Sequence, residues 1–151
     1  MAENLSFAAQ VSRWCEEEEA RKTAVLRTAA QMVANNVRLT TAAGGRMPFD
    51  TGNLKNSLMA STSTMPEIKP EAASYADSGQ IELVIQGLEV GETLYLGFQA
   101  AYAARMNYGF VGQDSLGRVY NQSGFGFVDA EAQKWPQTVK AAEQAVGGQA
   151  G

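Results

Sequence analysis

The residues with the most catalytic spelling in this chain are Phe49-Asp50-Thr51-Gly52. An Asp-Thr-Gly turn is the active-site signature of aspartic proteases, in which two such turns meet and their carboxylates share one proton. A chain of 151 residues with one such triplet would reach that arrangement as a homodimer. The flanks argue for a different use. Thr40-Thr41-Ala42-Ala43-Gly44-Gly45-Arg46-Met47-Pro48 comes before it where an apolar strand is required, and Asn53-Leu54-Lys55-Asn56-Ser57-Leu58 follows as a helix start. Asp50 and Thr51 are therefore expected to cap that helix.

The other reactive groups form no constellation. The chain has no histidine and a single cysteine, Cys15. That excludes Ser-His-Asp and Cys-His sites, His-rich zinc sites and an internal disulfide, and it removes the usual general base near neutral pH. Cys15, with no histidine to activate it, is expected to be a small packed residue on a helix. Glu16 to Glu19 are consecutive, so on a helix they point around the cylinder and do not converge on one metal; a solvated face is expected. Neither a Gly-x-Gly-x-x-Gly after a strand nor a Gly-Lys-Ser/Thr is present, so nucleotide binding has no support. The expected cofactor and metal content is none, and no enzymatic activity is expected.

These residues must be carried by some set of elements. With 45% apolar and 19% charged residues, the composition is that of a globular domain with a core of its own. Twelve basic residues against sixteen acidic ones, a net charge of −4, give no footprint for gripping nucleic acid. The opening segment has no basic region followed by an apolar one, and no apolar run approaches the ~20 residues that span a bilayer. No membrane association is expected, and the lone cysteine fits a reducing cytoplasm.

Residues 6 to 37 read as one long helix free of proline and glycine, with Ser6 as its cap. Phe7, Val11, Trp14, Val25, Ala29 and Met32 fall on one stripe, which Glu18, Arg21 and Lys22 interrupt. Glu17 and Arg21, and Glu18 and Lys22, stand four apart with the acid first, the favourable order for ion pairs within a helix. Such a helix runs about 45–50 Å, whereas a compact domain of this size is roughly 40 Å across. One end must project or lie on something else, and Phe7, Val11 and Trp14 are the candidate subunit interface.

A short helix is expected over 53–59, with Leu54 and Leu58 on one face, and a loop over 60–79 whose first residues suit an edge strand. Ile81, Leu83 and Ile85 alternate with Glu82, Val84 and Gln86, so a hairpin of strands 81–86 and 93–98 is expected. Residues 100–108 read as a helix ended by Gly109. Residues 109–126 hold five glycines in eighteen positions and read as a long loop or an extended hairpin around Asp114–Gly117. A last helix spans 128–146, with Pro136 kinking it or marking a second start, and 147–151 are expected to be a flexible tail. Most of the aromatic residues between Tyr95 and Phe127 are expected in the core. The expectation is one α+β domain, residues 1–146, in which a small antiparallel sheet is packed by a long N-terminal helix, short helices and a C-terminal helix.

The order of these features resembles the small neck or tail-completion proteins of long-tailed phages, including the minor tail protein Z type. Members typically carry a D-T-G-x-L-x-x-S box after the first helix, matched here by Asp50, Thr51, Gly52, Leu54 and Ser57. A later Y-A-x-x-x-E-x-G box is matched by Tyr102, Ala103 and Gly109, with Tyr108 before the glycine and Asn107 where an acid is common. The Arg-Pro-Phe segment that often opens the last helix is replaced by Gly126-Phe127-Val128.

The resemblance implies a structural virion protein at the head–tail junction, assembled in the host cytoplasm and located in the neck or tail. It implies a homo-oligomeric ring, six copies or else twelve. The implied partners are head-closure or connector proteins, tail-terminator or tail-tube proteins, and DNA passing through the lumen without sequence-specific binding. A net negative chain suits a lumen in which phosphate is not trapped. Two other classes stay open at the level of sequence: the homodimeric aspartic protease and a generic cytoplasmic interaction domain.

Overall fold

The computed structural model describes residues 6–48, 53–69, 75, 79–113 and 116–150. Helix α1 runs Phe7–Val37, and the Ser6 side chain accepts a hydrogen bond from the Ala9 amide at 3.1 Å, as expected of its cap. After a short turn of 3₁₀ helix at Thr41–Ala43 come α2 (Asn53–Asn56) and strand β1 (Leu58–Ser61). Then follow α3 (Gln80–Gln86), β2 (Tyr95–Phe98), α4 (Ala103–Tyr108), the strands β3 (Gly109–Gln113) and β4 (Val119–Ser123), α5 (Phe127–Gln133) and α6 (Trp135–Ala150). The class is α+β as expected, with two antiparallel two-stranded sheets among the described residues, β1–β2 and β3–β4.

Two cores hold the elements together. In the first, Ala30, Ala34 and Val37 of α1 meet Leu58 and Ala60 of β1, Ile81 and Ile85 of α3, and Leu88. In the second, Met47, Leu54, Ala100 and Phe127 pack with Phe125 and Val128. Phe98 packs against both, and its ring meets that of Phe127 edge-to-face at 5.5 Å.

Several expectations are corrected. The strand over 81–86 is the helix α3, so the hairpin with 93–98 does not form; β2 pairs instead with β1, Leu58 opposite Phe98 and Ser61 opposite Tyr95. Ile81, Ile85 and Leu88 are all buried while Leu83 is exposed, so the operative period is that of a helix, bounded by Gly79 and Gly87. The short helix over 53–59 ends at Asn56, and Leu58 lies in β1. Residues 109–113 and 119–123 pair as the extended-hairpin alternative, with Gly109 opposite Ser123. The closing helix breaks at Lys134 and restarts at Trp135, so Pro136 marks a second start in a first turn, where its missing amide costs nothing. Helix α6 runs to Ala150 through Gly147 and Gly148.

Side chains tie the elements at named points. The Gln80 amide accepts from the Ala60 N–H at 2.9 Å and donates to the Ala60 carbonyl, mimicking a neighbouring strand on the open edge of β1. Arg27 of α1 donates from Nε to the Leu88 carbonyl at 2.8 Å and pairs with Glu89 at 3.2 Å. Arg38 pairs with Glu82 of α3 at 3.4 Å.

Candidate functional site

The described residues of the two sequence boxes do turn and packing work. Leu54 is buried in the second core. Ser57 is fully buried between α2 and β1; its hydroxyl donates to the Leu54 carbonyl at 2.8 Å and its carbonyl accepts from the Gln99 amide at 2.9 Å. Asp50, Thr51 and Gly52, and with them the expected cap, lie outside the described residues.

In the second box, Ala103 packs on the second core. Gly109 follows α4 with φ +90°, a backbone angle that L side chains resist, and its amide donates to the Arg105 carbonyl. Tyr102 is 40% and Tyr108 70% exposed, so neither is a core residue. The residue with most to do is Asn107, which is buried. Its Oδ1 accepts from the Val128 amide at 2.9 Å, capping the N-terminus of α5 from another element. Its backbone carbonyl accepts from the Gly126 amide at 3.0 Å. The box therefore stitches α4 to α5. An acceptor at this position is what the cap needs, and both an amide and an acid supply one.

Among the described residues there is no group of three or more Cys, Asp or Glu placed to hold a metal ion. No helix among them is long and apolar enough to cross a membrane.

The exposed apolar surface of α1 lies in its first third. From Phe7 to Glu17 every residue is exposed. Phe7 is 82% and Trp14 62% exposed, with Val11 also bare, so the candidate interface residues lie on the surface of the chain, on one stripe. The expectation that Cys15 packs is corrected: it is exposed with them.

The reason is the path of α6. Lys134, just before α6, shares a pocket with Asn36 near the C-terminal end of α1. Gly147, late in α6, shares a groove with Glu18. Helix α6 thus returns antiparallel along α1, burying Thr138 and Ala142, and its sixteen residues reach about 24 Å, roughly half of α1. Beyond it, α1 stands out as an arm.

Where arm and body meet, α1, α6 and the loop around Val90 enclose an open groove of about 600 Å³. Val25, Ala29, Val90 and Val139 give it apolar walls, Trp135 stands at one side 42% exposed, and Glu18, Arg21 and Lys22 line its end toward the arm. The expected pairs Glu17–Arg21 and Glu18–Lys22 are not among the ion pairs of the described residues, which join Arg27 to Glu89, Arg38 to Glu82 and Lys134 to Glu131. These long side chains remain turned toward solvent and the groove.

Sequence reasoning found the stripe and the interruption but missed the groove. Its walls come from three separated segments, and the helical character of 80–86, which sets the path of the Val90 loop, is hidden in a five-residue alternation. No family model matches the chain, and no curated protein or solved structure matches it.

Proposed function

We propose that this chain is a structural subunit that works by assembling with copies of itself, and that its place is the head–tail junction of a long-tailed phage. The observation that carries the assembly role is the arm: eleven consecutive exposed residues of one helix, presenting Phe7, Val11 and Trp14 together. Aromatic side chains left bare as a group characterise contact surfaces, where buried aromatics supply much of the binding energy.

The phage assignment rests on the two sequence boxes. Their use of Leu54, Ser57, Ala103 and Gly109 in turns and packing supports it, because a motif that shapes a fold suits a family of building parts. In this role the chain is a virion component, a ring of six or twelve copies held between connector and tail-terminator proteins. Its net charge of −4 suits a channel through which DNA slides.

Native mass spectrometry of the full chain, with electron microscopy of the same sample, tests this. Closed rings of six or twelve copies are expected, alone or with the neighbouring neck proteins added. A chain that stays monomeric under both conditions would overturn the assembly role. A dimer with peptidase activity that Asp50→Asn abolishes would move the assignment to the protease class.

A further inference from the structure

The arm and the groove carry complementary features of one chain. Phe7, Val11, Trp14, Glu18, Arg21 and Val25 follow each other at alternating four- and three-residue steps. That is the seam spacing of a two-helix coiled coil. The first three are bare, and the last three line the groove. Along the seam the order is apolar, acidic, basic, apolar. Such an order is complementary to itself when read backwards: laid antiparallel on a second copy, Trp14 falls opposite Val25 and Glu18 opposite Arg21.

We infer that the occupant of the groove is the arm of a second copy, with the two α1 helices antiparallel across a two-fold axis. Each arm lays Trp14 and Val11 on the groove of the other copy, against the walls formed by Val25, Val90 and Val139. Two reciprocal Glu18–Arg21 pairs close the centre. Two-fold contacts are self-complementary by symmetry, so every contact is made twice. The lengths agree: the arm from Phe7 to Glu18 and the α1 wall of the groove from Glu18 to Ala29 each span eleven steps, about 16 Å. A parallel arrangement that lays Phe7 to Glu18 on Glu18 to Ala29 sets Glu18 beside Ala29 and Arg21 beside Met32 and loses the reciprocal Glu18–Arg21 match. The contact joins copies in pairs, so rings built with it hold even numbers, in keeping with the assembly role on which this inference rests.

The native Cys15 provides the test. It flanks the seam beside Trp14, and Lys22 flanks it beside Arg21, so in the antiparallel pair Cys15 faces Lys22 of the other copy. Within one chain the two positions are about 10 Å apart along a continuous helix, beyond disulfide reach. Both are exposed, so Lys22→Cys leaves the fold alone.

Mild oxidation of Lys22→Cys is expected to give a covalent dimer in which Cys15 of one copy is linked to the introduced thiol at position 22 of the other. The link is expected to be absent from Lys22→Cys/Cys15→Ser. Arg21→Glu is expected to weaken pairing by about tenfold through like charges facing each other, and Glu18→Arg/Arg21→Glu to restore it. Oligomers that form without the cross-link, and that Arg21→Glu leaves unchanged, overturn this contact while the assembly role stands. Cross-linked dimers that never grow into rings keep the contact and overturn the ring. A wild-type chain that stays monomeric overturns both.

Discussion

Asn107 and Gln80 substitute for backbone, each where an element would otherwise lack a partner. Gln80 meets both the N–H and the carbonyl of Ala60 on the open edge of β1. Gln80→Ala leaves both groups half-buried without that partner, at a cost of about 1–3 kcal/mol. Urea unfolding should show the midpoint falling with an unchanged slope, and Gln80→Glu, which keeps the acceptor, should lose less. Asn107 caps α5 through Val128 while its own Nδ2 is buried with no partner among the described residues. Asn107→Ala removes the cap and should cost about 1–2 kcal/mol by the same measurement. Neither role was legible from residue type: an Asn beside Tyr108 and a Gln after Gly79 look like surface residues until the elements they serve are placed. Cys15 misled in the opposite sense. Its type favours burial, but exposure depends on what lies alongside the helix, and Cys15 is exposed.

Helix α1 was readable at the scale of elements because propensity, a capping serine and the absence of breakers agree over thirty residues. Helix α3 was not, because Ile-Glu-Leu-Val-Ile satisfies both a period of two and a spacing of i, i+4 over so short a run. The exposure of Leu83 and the burial of Leu88, one turn further on, separate the two. The join of α4, β3 and α5 depends on a glycine that the sequence does not distinguish from the others nearby. A methyl group on Gly124 would overlap the main chain of Asn107 to Gly109, which cannot move aside as a side chain can. Gly124→Ala should therefore destabilise by about 1–3 kcal/mol, the range of overpacked sites. Calorimetry should show the melting temperature falling by several degrees. Stability along α1 should be uneven in the same physical sense. Amides in the stretch from Val11 to Glu17, exposed at every residue, should exchange quickly in the isolated chain, whereas those of Ala30 to Val37, where α1 meets the first core, should exchange slowly.

At the scale of the whole molecule, the first third of α1, the eleven residues from Phe7 to Glu17, is exposed along its length. Two forces should act there with different signatures. Trp14 is a large apolar group that is 62% exposed in the single chain, so covering it on association should contribute at the level of a binding hot spot, about 2 kcal/mol or more. Trp14→Ala should then weaken self-association by roughly thirtyfold or more. It should leave the unfolding midpoint of the dilute monomer almost unmoved, because the side chain supports nothing within the fold. Glu18 and Arg21 contribute less, since ion pairs in a narrow seam of two helices keep contact with water and are screened over about 10 Å at 0.1 M salt. Raising the salt should loosen wild-type oligomers only modestly. Loss of association in Trp14→Ala, with a small salt effect in the wild type, would identify the apolar stripe as the principal contact. The reverse pattern, salt-labile oligomers indifferent to Trp14, would assign assembly to the charged segment from Glu16 to Lys22.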